Sequence, residues 1–128
     1  MSGETPSFDV RFDAGQGVLA MRIAGFWTLA TLAAFTARLL LEVARARLAG
    51  RRYAVLSDAR AFPVQAPDVA RGFEALTRRG ARYHRGRTAI VVGSRLAKLQ
   101  AERTMAADGL RIFLDMDEAR AWLAEGMA

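Results

Sequence analysis

The chain has no cysteine, a single histidine and a single lysine in 128 residues. Without cysteine there are no disulfides and no thiolate metal sites, and a reducing, cytoplasmic setting is the expectation. With His84 as the lone imidazole, a zinc site is short of ligands. Proline is scarce, three residues in all. Long apolar runs are missing too. The longest uncharged stretch, 23–37, is fifteen residues, whereas a membrane-spanning helix needs about 20. Gly25 interrupts that stretch, so it reads as core. Residues 1–6 lack a basic region followed by an apolar one, which argues against a secretory leader. They read as a disordered leader, with a single domain over 7–128.

What is present is apolar and basic: 52% hydrophobic residues and a net charge of +6. Arg71, Arg78, Arg79, Arg82, Arg85 and Arg87 form the densest positive run. Only Tyr83 is interleaved with them, too little aromatic surface for base stacking, which disfavours nucleic acid. An acidic protein face or an anionic headgroup fits that run better, and plain solvation explains it as well.

The patterning alternates strand and helix. Phe8, Val10 and Phe12 recur every second residue, then comes turn chemistry at Asp13–Gly17, then a second strand to Gly25: an antiparallel hairpin. Thr28 or Thr31 can cap the next helix. Leu32, Phe35, Leu39 and Val43, with Leu40 beside them, form its apolar stripe, and Arg38, Glu42, Arg45 and Arg47 its flanks. Gly50 is a suitable stop. A short buried strand starts at Tyr53 and ends at Ser57 and Asp58. After a proline-punctuated loop, Pro67 opens a helix carrying Val69, Phe73 and Leu76 and ending at Gly80. Then follow a strand over 88–92, a helix from Ser94 or Arg95 to about Ala107, a strand over 110–114, and a last helix with Asp115 as N-cap, Glu118 as its capping-box partner, and Ala119, Trp122 and Leu123 on the inner face. The order is β-β-α-β-α-β-α-β-α. It predicts an α/β sandwich whose mixed, mostly parallel sheet begins with an antiparallel hairpin.

This succession resembles the STAS superfamily, and within it the SpoIIAA-like group. The residues that carry the likeness are Gly25 with Trp27 and Thr28 opening the first long helix, Leu56–Asp58 ending the third strand, the run from Arg87 to Ser94 (RTAIVVGS), and Arg111–Phe113 leading into Asp117–Leu123. The likeness covers about residues 8–125. It implies a non-enzymatic module that acts by binding, usually another protein, sometimes a small ligand or lipid. In the anti-sigma-antagonist branch a phosphorylatable serine follows an aspartate in an Asp-x-Ser-Gly loop. Here that segment is Asp58-Ala59-Arg60-Ala61, so the phosphate switch has no serine, and Arg60 brings a fixed positive charge in its place.

Ligands of open α/β sheets bind beyond the carboxyl ends of the parallel strands. Asp58, Arg60 and Ser94 are therefore the candidate partner-binding residues at that edge, with Trp27 as a candidate aromatic anchor beside Phe26. Each has a plainer explanation: Asp58 as a turn acceptor, Ser94 as an N-cap, Trp27 as a core plug. His84 sits among arginines that would lower its pKa, with no carboxylate nearby to orient it, so it reads as a loop histidine and not a base. Gly15 and Gly17 form a lone Gly-x-Gly before a strand, which fails the dinucleotide pattern. No cofactor, metal or catalytic set is expected. The main expectation is protein–protein binding, with a homodimer compatible. The alternative is a small apolar or lipid-like ligand between the first two helices and the sheet, against Leu32, Phe35, Leu39 and Val43.

Overall fold

A computed structural model describes residues 5–49, 52–84, 86–105 and 107–127. Residues 1–4 of the expected leader, and the expected stop at Gly50, lie outside the described residues. Strands β1 (Ser7–Asp13) and β2 (Val18–Ala24) pair antiparallel, from Ser7 opposite Ala24 to Asp13 opposite Val18. The turn between them works as its composition suggests. The Asp13 carboxylate accepts from the Gln16 N–H at 3.1 Å, and Gly17 takes a φ of +70° that other residues resist.

Helix α1 (Leu29–Leu48) follows, with the Thr28 hydroxyl accepting from the Thr31 N–H at 3.2 Å. Next come β3 (Ala54–Ala61), α2 (Pro67–Tyr83), β4 (Thr88–Val92), α3 (Arg95–Thr104), β5 (Leu110–Phe113) and α4 (Met116–Met127). Ser94 caps α3 by accepting from the Ala97 N–H at 3.1 Å, and Asp115 caps α4 by accepting from the Glu118 N–H at 3.1 Å. Sheet order equals chain order, β1-β2-β3-β4-β5, and every pair after the first is parallel. The α/β fold and its β-β-α-β-α-β-α-β-α order are as the patterning predicts.

The central strand β4 shows why a parallel sheet buries both faces. Ala89 and Val91 point to one side, Ile90 and Val92 to the other, and all four are buried. Helices α1, α2 and α3 cover the second side through Phe35, Val69 and Ala101. Helix α4 covers the first through Ala119 and Leu123. α1 and α2 approach closely at one end. A Cβ on Gly72 would lie 2.6 Å from Leu32 Cδ2, so a larger residue there would require the Leu32 side chain to shift.

Several boundaries differ from the sequence expectation. β3 does not stop at Asp58 but continues to Ala61, because its last residues still pair with β2 past a register shift between Arg22 and Ala24. The segment 58–61 is therefore strand, not loop. α2 runs past Gly80 to Tyr83, since an exposed glycine near a helix end costs only about 1 kcal/mol. α3 stops at Thr104 and β5 at Phe113. Leu40 is exposed instead of joining the inner stripe.

Glu42 departs most. Expected on a solvated flank, it is 1% exposed. Its Oε1 accepts from the Phe12 N–H of edge strand β1 at 2.9 Å, and its Oε2 takes Arg45 at 2.9 Å and Arg38 at 3.4 Å. The Arg38 Nε also reaches the Val10 carbonyl at 3.4 Å. The buried carboxylate is thus paired and hydrogen-bonded, as burial demands. It also blocks the open side of the sheet.

Candidate functional site

The same α1–α2 pair that closes at Gly72 stands apart further along. Between their later turns and the sheet lies a cavity of about 390 Å³. Its apolar walls include Leu39 and Val43 from α1, Phe73 and Leu76 from α2, and Leu19 and Ile90 from the sheet. The helical spacing that marks Phe35, Leu39 and Val43 as core is real, yet these side chains do not fill the space between them. Of the four residues expected to line such a pocket, Phe35, Leu39 and Val43 do so; Leu32 packs instead beside Gly72.

Aromatic rings close one end. Phe35 and Phe73 stack at 5.9 Å between centroids, and both contact Trp27, at 5.1 and 6.1 Å. Phe62 meets Trp27 at 5.0 Å from the β3–α2 connection. Trp27 itself is 1% exposed, so it is the hub of this cluster and offers no surface to a partner. Its neighbour Phe26 is the exposed aromatic, at 54%. Gln65 holds the hub in place. Its Oε1 accepts from the Trp27 N–H at 2.7 Å, while its Nε2 donates to the carbonyls of Gly25 at 3.1 Å and Pro63 at 2.7 Å. Nothing in the local sequence marks Gln65 for this task, because its partners are up to forty residues away.

The other end is polar. Arg47 near the end of α1, Tyr53 just before β3, Arg79 and Gly80 in the last turns of α2, and His84 after it all line the cavity. This mouth lies at the amino ends of the parallel strands, opposite the edge where ligands of open α/β sheets are expected. The burial of Tyr53 raises its phenol pKa, against the charge and hydrogen bond of Arg47, so the hydroxyl keeps its proton at neutral pH. His84 stacks on Tyr53 with centroids 4.6 Å apart. Its pKa is lowered, first by burial and then by the charge of Arg52, against a hydrogen bond with the Arg87 backbone. Burial and the Arg52 charge both favour the neutral ring, and its buried Nε2 has no hydrogen-bond partner among the described residues. Ser57, expected at the strand end, sits mid-strand, and its side chain forms part of the cavity wall.

A second depression, of about 440 Å³, lies between α4 and β2–β3, but only seven residues line it, among them Val18, Leu56 and Met127.

The residues singled out from the sequence lie elsewhere. Asp58 and Arg60 alternate onto the α4 side of β3 and form a two-pronged pair, Nε to Oδ1 at 2.9 Å and Nη2 to Oδ2 at 2.8 Å. The Arg60 side-chain hydrogen bond is the chief reason the Asp58 carboxyl sits below the usual carboxylate range, outweighing burial; the Arg60 backbone and charge and the charge of Arg22 add to it. Arg60 is therefore neutralised within its own strand. The Ser94 hydroxyl is occupied as the α3 cap. Asp58 and Arg60 are together, while Trp27 is buried in the cluster on the opposite face of the sheet. No group of three or more metal-binding side chains occurs among the described residues, and no helix there is long and apolar enough to cross a membrane.

No protein-family model matches the sequence, and no curated protein does. Among solved structures, the chain is similar to an uncharacterized protein of the DUF3478 family from Shewanella loihica PV-4, described as having a SpoIIAA-like fold. The two are 22% identical, the match covers 96% of this chain and 98% of the other, and the TM-score is 0.70. The SpoIIAA-like architecture implied by the order of strands and helices is the fold of this chain.

Proposed function

We propose that the protein is a non-enzymatic binding module whose ligand is a small apolar or lipid-like molecule held between α1, α2 and the sheet. The observation that carries this reading is the 390 Å³ cavity, walled by side chains that would otherwise close into core. Small-molecule sites span roughly 300–1,000 Å³ and are mostly apolar with a few polar groups. A dry cavity of about 150 Å³ takes a benzene, so this one suits a ligand of roughly fifteen non-hydrogen atoms. A binding role, without catalysis, is supported by the lining itself. No carboxylate lies there to orient His84, and its Nε2 engages no nucleophile among the described residues.

The test uses N-phenyl-1-naphthylamine, a neutral apolar fluorophore of matching size. It should bind once per chain with enhanced, blue-shifted emission. Leu76→Trp, or Val43→Trp from the opposite wall, should abolish that signal while circular dichroism and thermal unfolding stay native. Equal binding by the folded, filled variants would rule the cavity out.

A second reading retains the protein–protein role at the other end of the molecule. Phe26 and Val64, 54% and 77% exposed, flank segments that Gln65 ties together. Exposed apolar neighbours on a rigid base are what a partner surface offers. Phe26→Ala with Val64→Asp should then abolish partner capture while leaving fluorophore binding intact; unchanged capture would discount that surface.

A further inference from the structure

The cavity has chemically different ends, and that asymmetry restricts its ligand. The closed end and walls are aromatic and aliphatic: Phe35, Phe73, Leu39 and Leu76. The open end carries two guanidinium groups, Arg47 and Arg79, with no lining carboxylate opposite them. Neither arginine forms an ion pair with a carboxylate among the described residues. By contrast Arg60 pairs with Asp58, Arg45 with Glu42 and Arg87 with Glu125. Arginines near helix C-termini also complement the helix dipole. That accounts for a basic last turn, but not for the placement of both guanidinium groups on the rim of one apolar cavity.

Two hydrogen-bonding groups stand beside them. Tyr53 holds a protonated hydroxyl in contact with Arg47. His84 has a buried Nε2 with no hydrogen-bond partner among the described residues. An anionic head group at the mouth would favour protonation of that ring, as a nearby opposite charge does.

From this arrangement we infer that the ligand is a single-chain amphipathic anion, with its apolar body between α1 and α2 and its carboxylate or phosphate head at Arg47, Arg79, Tyr53 and His84. This inference rests on the cavity reading and adds the ligand's charge, polarity and orientation. Guanidinium groups recognise planar or tetrahedral oxyanions through paired N–H donors. The cavity volume matches a chain of about ten carbons plus its head, on the same scaling from benzene. Among the described residues, the charged and titratable groups that line the cavity with His84 are Arg47 from α1, Arg79 from α2 and Tyr53 ahead of β3, and Arg52 lowers its pKa by charge; none is acidic. An anion seated there would bring a negative charge to a ring otherwise surrounded by cations among those residues.

The experiment displaces bound N-phenyl-1-naphthylamine with decanoate, decyl phosphate or decanol, in the wild type and in Arg47→Gln/Arg79→Gln. Both arginines are exposed, so the double variant keeps the fold, checked by circular dichroism. The wild type should prefer at least one acid over the alcohol by about tenfold or more, as charge-assisted hydrogen bonds allow. The double variant should lose that preference yet still bind decanol. Which acid is preferred tells a carboxylate site from a phosphate site. The single histidine gives a local readout, since its one ring Hε1 resonance should titrate at higher pH with the acid bound and not with decanol. Equal affinity for acid and alcohol, or a preference that survives the double substitution, overturns the head-group assignment and leaves the cavity reading standing. Failure of the fluorophore to bind the wild type would remove both.

Discussion

Replacing Gln65 by alanine removes three hydrogen bonds at the closed end of the cavity in one step. Two of the freed groups, the Trp27 N–H and the Gly25 carbonyl, are buried. A buried backbone group without a partner is destabilising by about 1–3 kcal/mol. The truncated side chain leaves room for water to replace part of this, so a total of about 2–4 kcal/mol is expected. For a domain of this size that corresponds to a fall in Tm of roughly 8–15 °C. Urea unfolding followed by circular dichroism at far-ultraviolet wavelengths measures it, as a lower midpoint at unchanged slope. Gln65→Glu separates the halves of the clamp. Its oxygen still accepts from the Trp27 N–H, but the donor to Gly25 and Pro63 is gone and a charge is buried. It should be as harmful as alanine or worse at pH 7, and should recover partly in acid as the carboxyl takes a proton. A Gln65→Ala variant within 0.5 kcal/mol of wild type would refute the clamp, whatever the distances.

Two other perturbations follow from buried or paired charges. Glu42→Leu leaves the Phe12 N–H unsatisfied, at about 1–3 kcal/mol, while the half-exposed Arg38 and Arg45 can turn to water; Glu42→Gln keeps an acceptor for Phe12 and should lose less. Amide hydrogen exchange at Phe12 checks this, and equal exchange rates in both variants would contradict it. Arg60 holds the folded-state pKa of Asp58 below its ordinary 3.8, so the unfolded chain takes up that proton first as pH falls. The pair therefore stabilises the fold fully above about pH 5 and loses its contribution as pH drops through 3.8 and below. Arg60→Gln should be slightly less stable than wild type at pH 7, a solvent-exposed pair being screened. The gap to wild type should narrow as pH falls below 3.8 in urea titrations, and a gap independent of pH would exclude the linkage.

The chain's alternation of strand and helix was readable because burial on two faces leaves unmistakable runs such as Thr88–Val92, and because caps such as Thr28, Ser94 and Asp115 act within one turn. Long-range polar contacts were not. Glu42 looks like any surface glutamate at its spacing until Phe12, thirty residues earlier, is placed beside it. Gln65 reads as loop. The cavity is legible only as an alternative, because Phe35, Leu39 and Val43 follow core periodicity whether or not the space they face is filled. Trp27 was ambiguous between anchor and plug, since aromatic residues serve both, and only its contacts with Phe35, Phe62 and Phe73 assign it to the interior. Arg47 and Tyr53 come from the α1–β3 junction and Arg79 and His84 from the end of α2, about thirty residues on, so no local motif joins the two pairs. Their convergence comes from α1 and α2 running side by side in the same sense.

The stopper on β1 has a bearing on polymerisation. With a carboxylate seated on the Phe12 amide and a guanidinium on the Val10 carbonyl, the middle of that margin has fewer backbone groups to offer an incoming chain. The opposite margin of the sheet is only the four residues Leu110–Phe113. That margin is too short to template more than a few rungs, which leaves this chain poorly equipped to form ordered aggregates while folded.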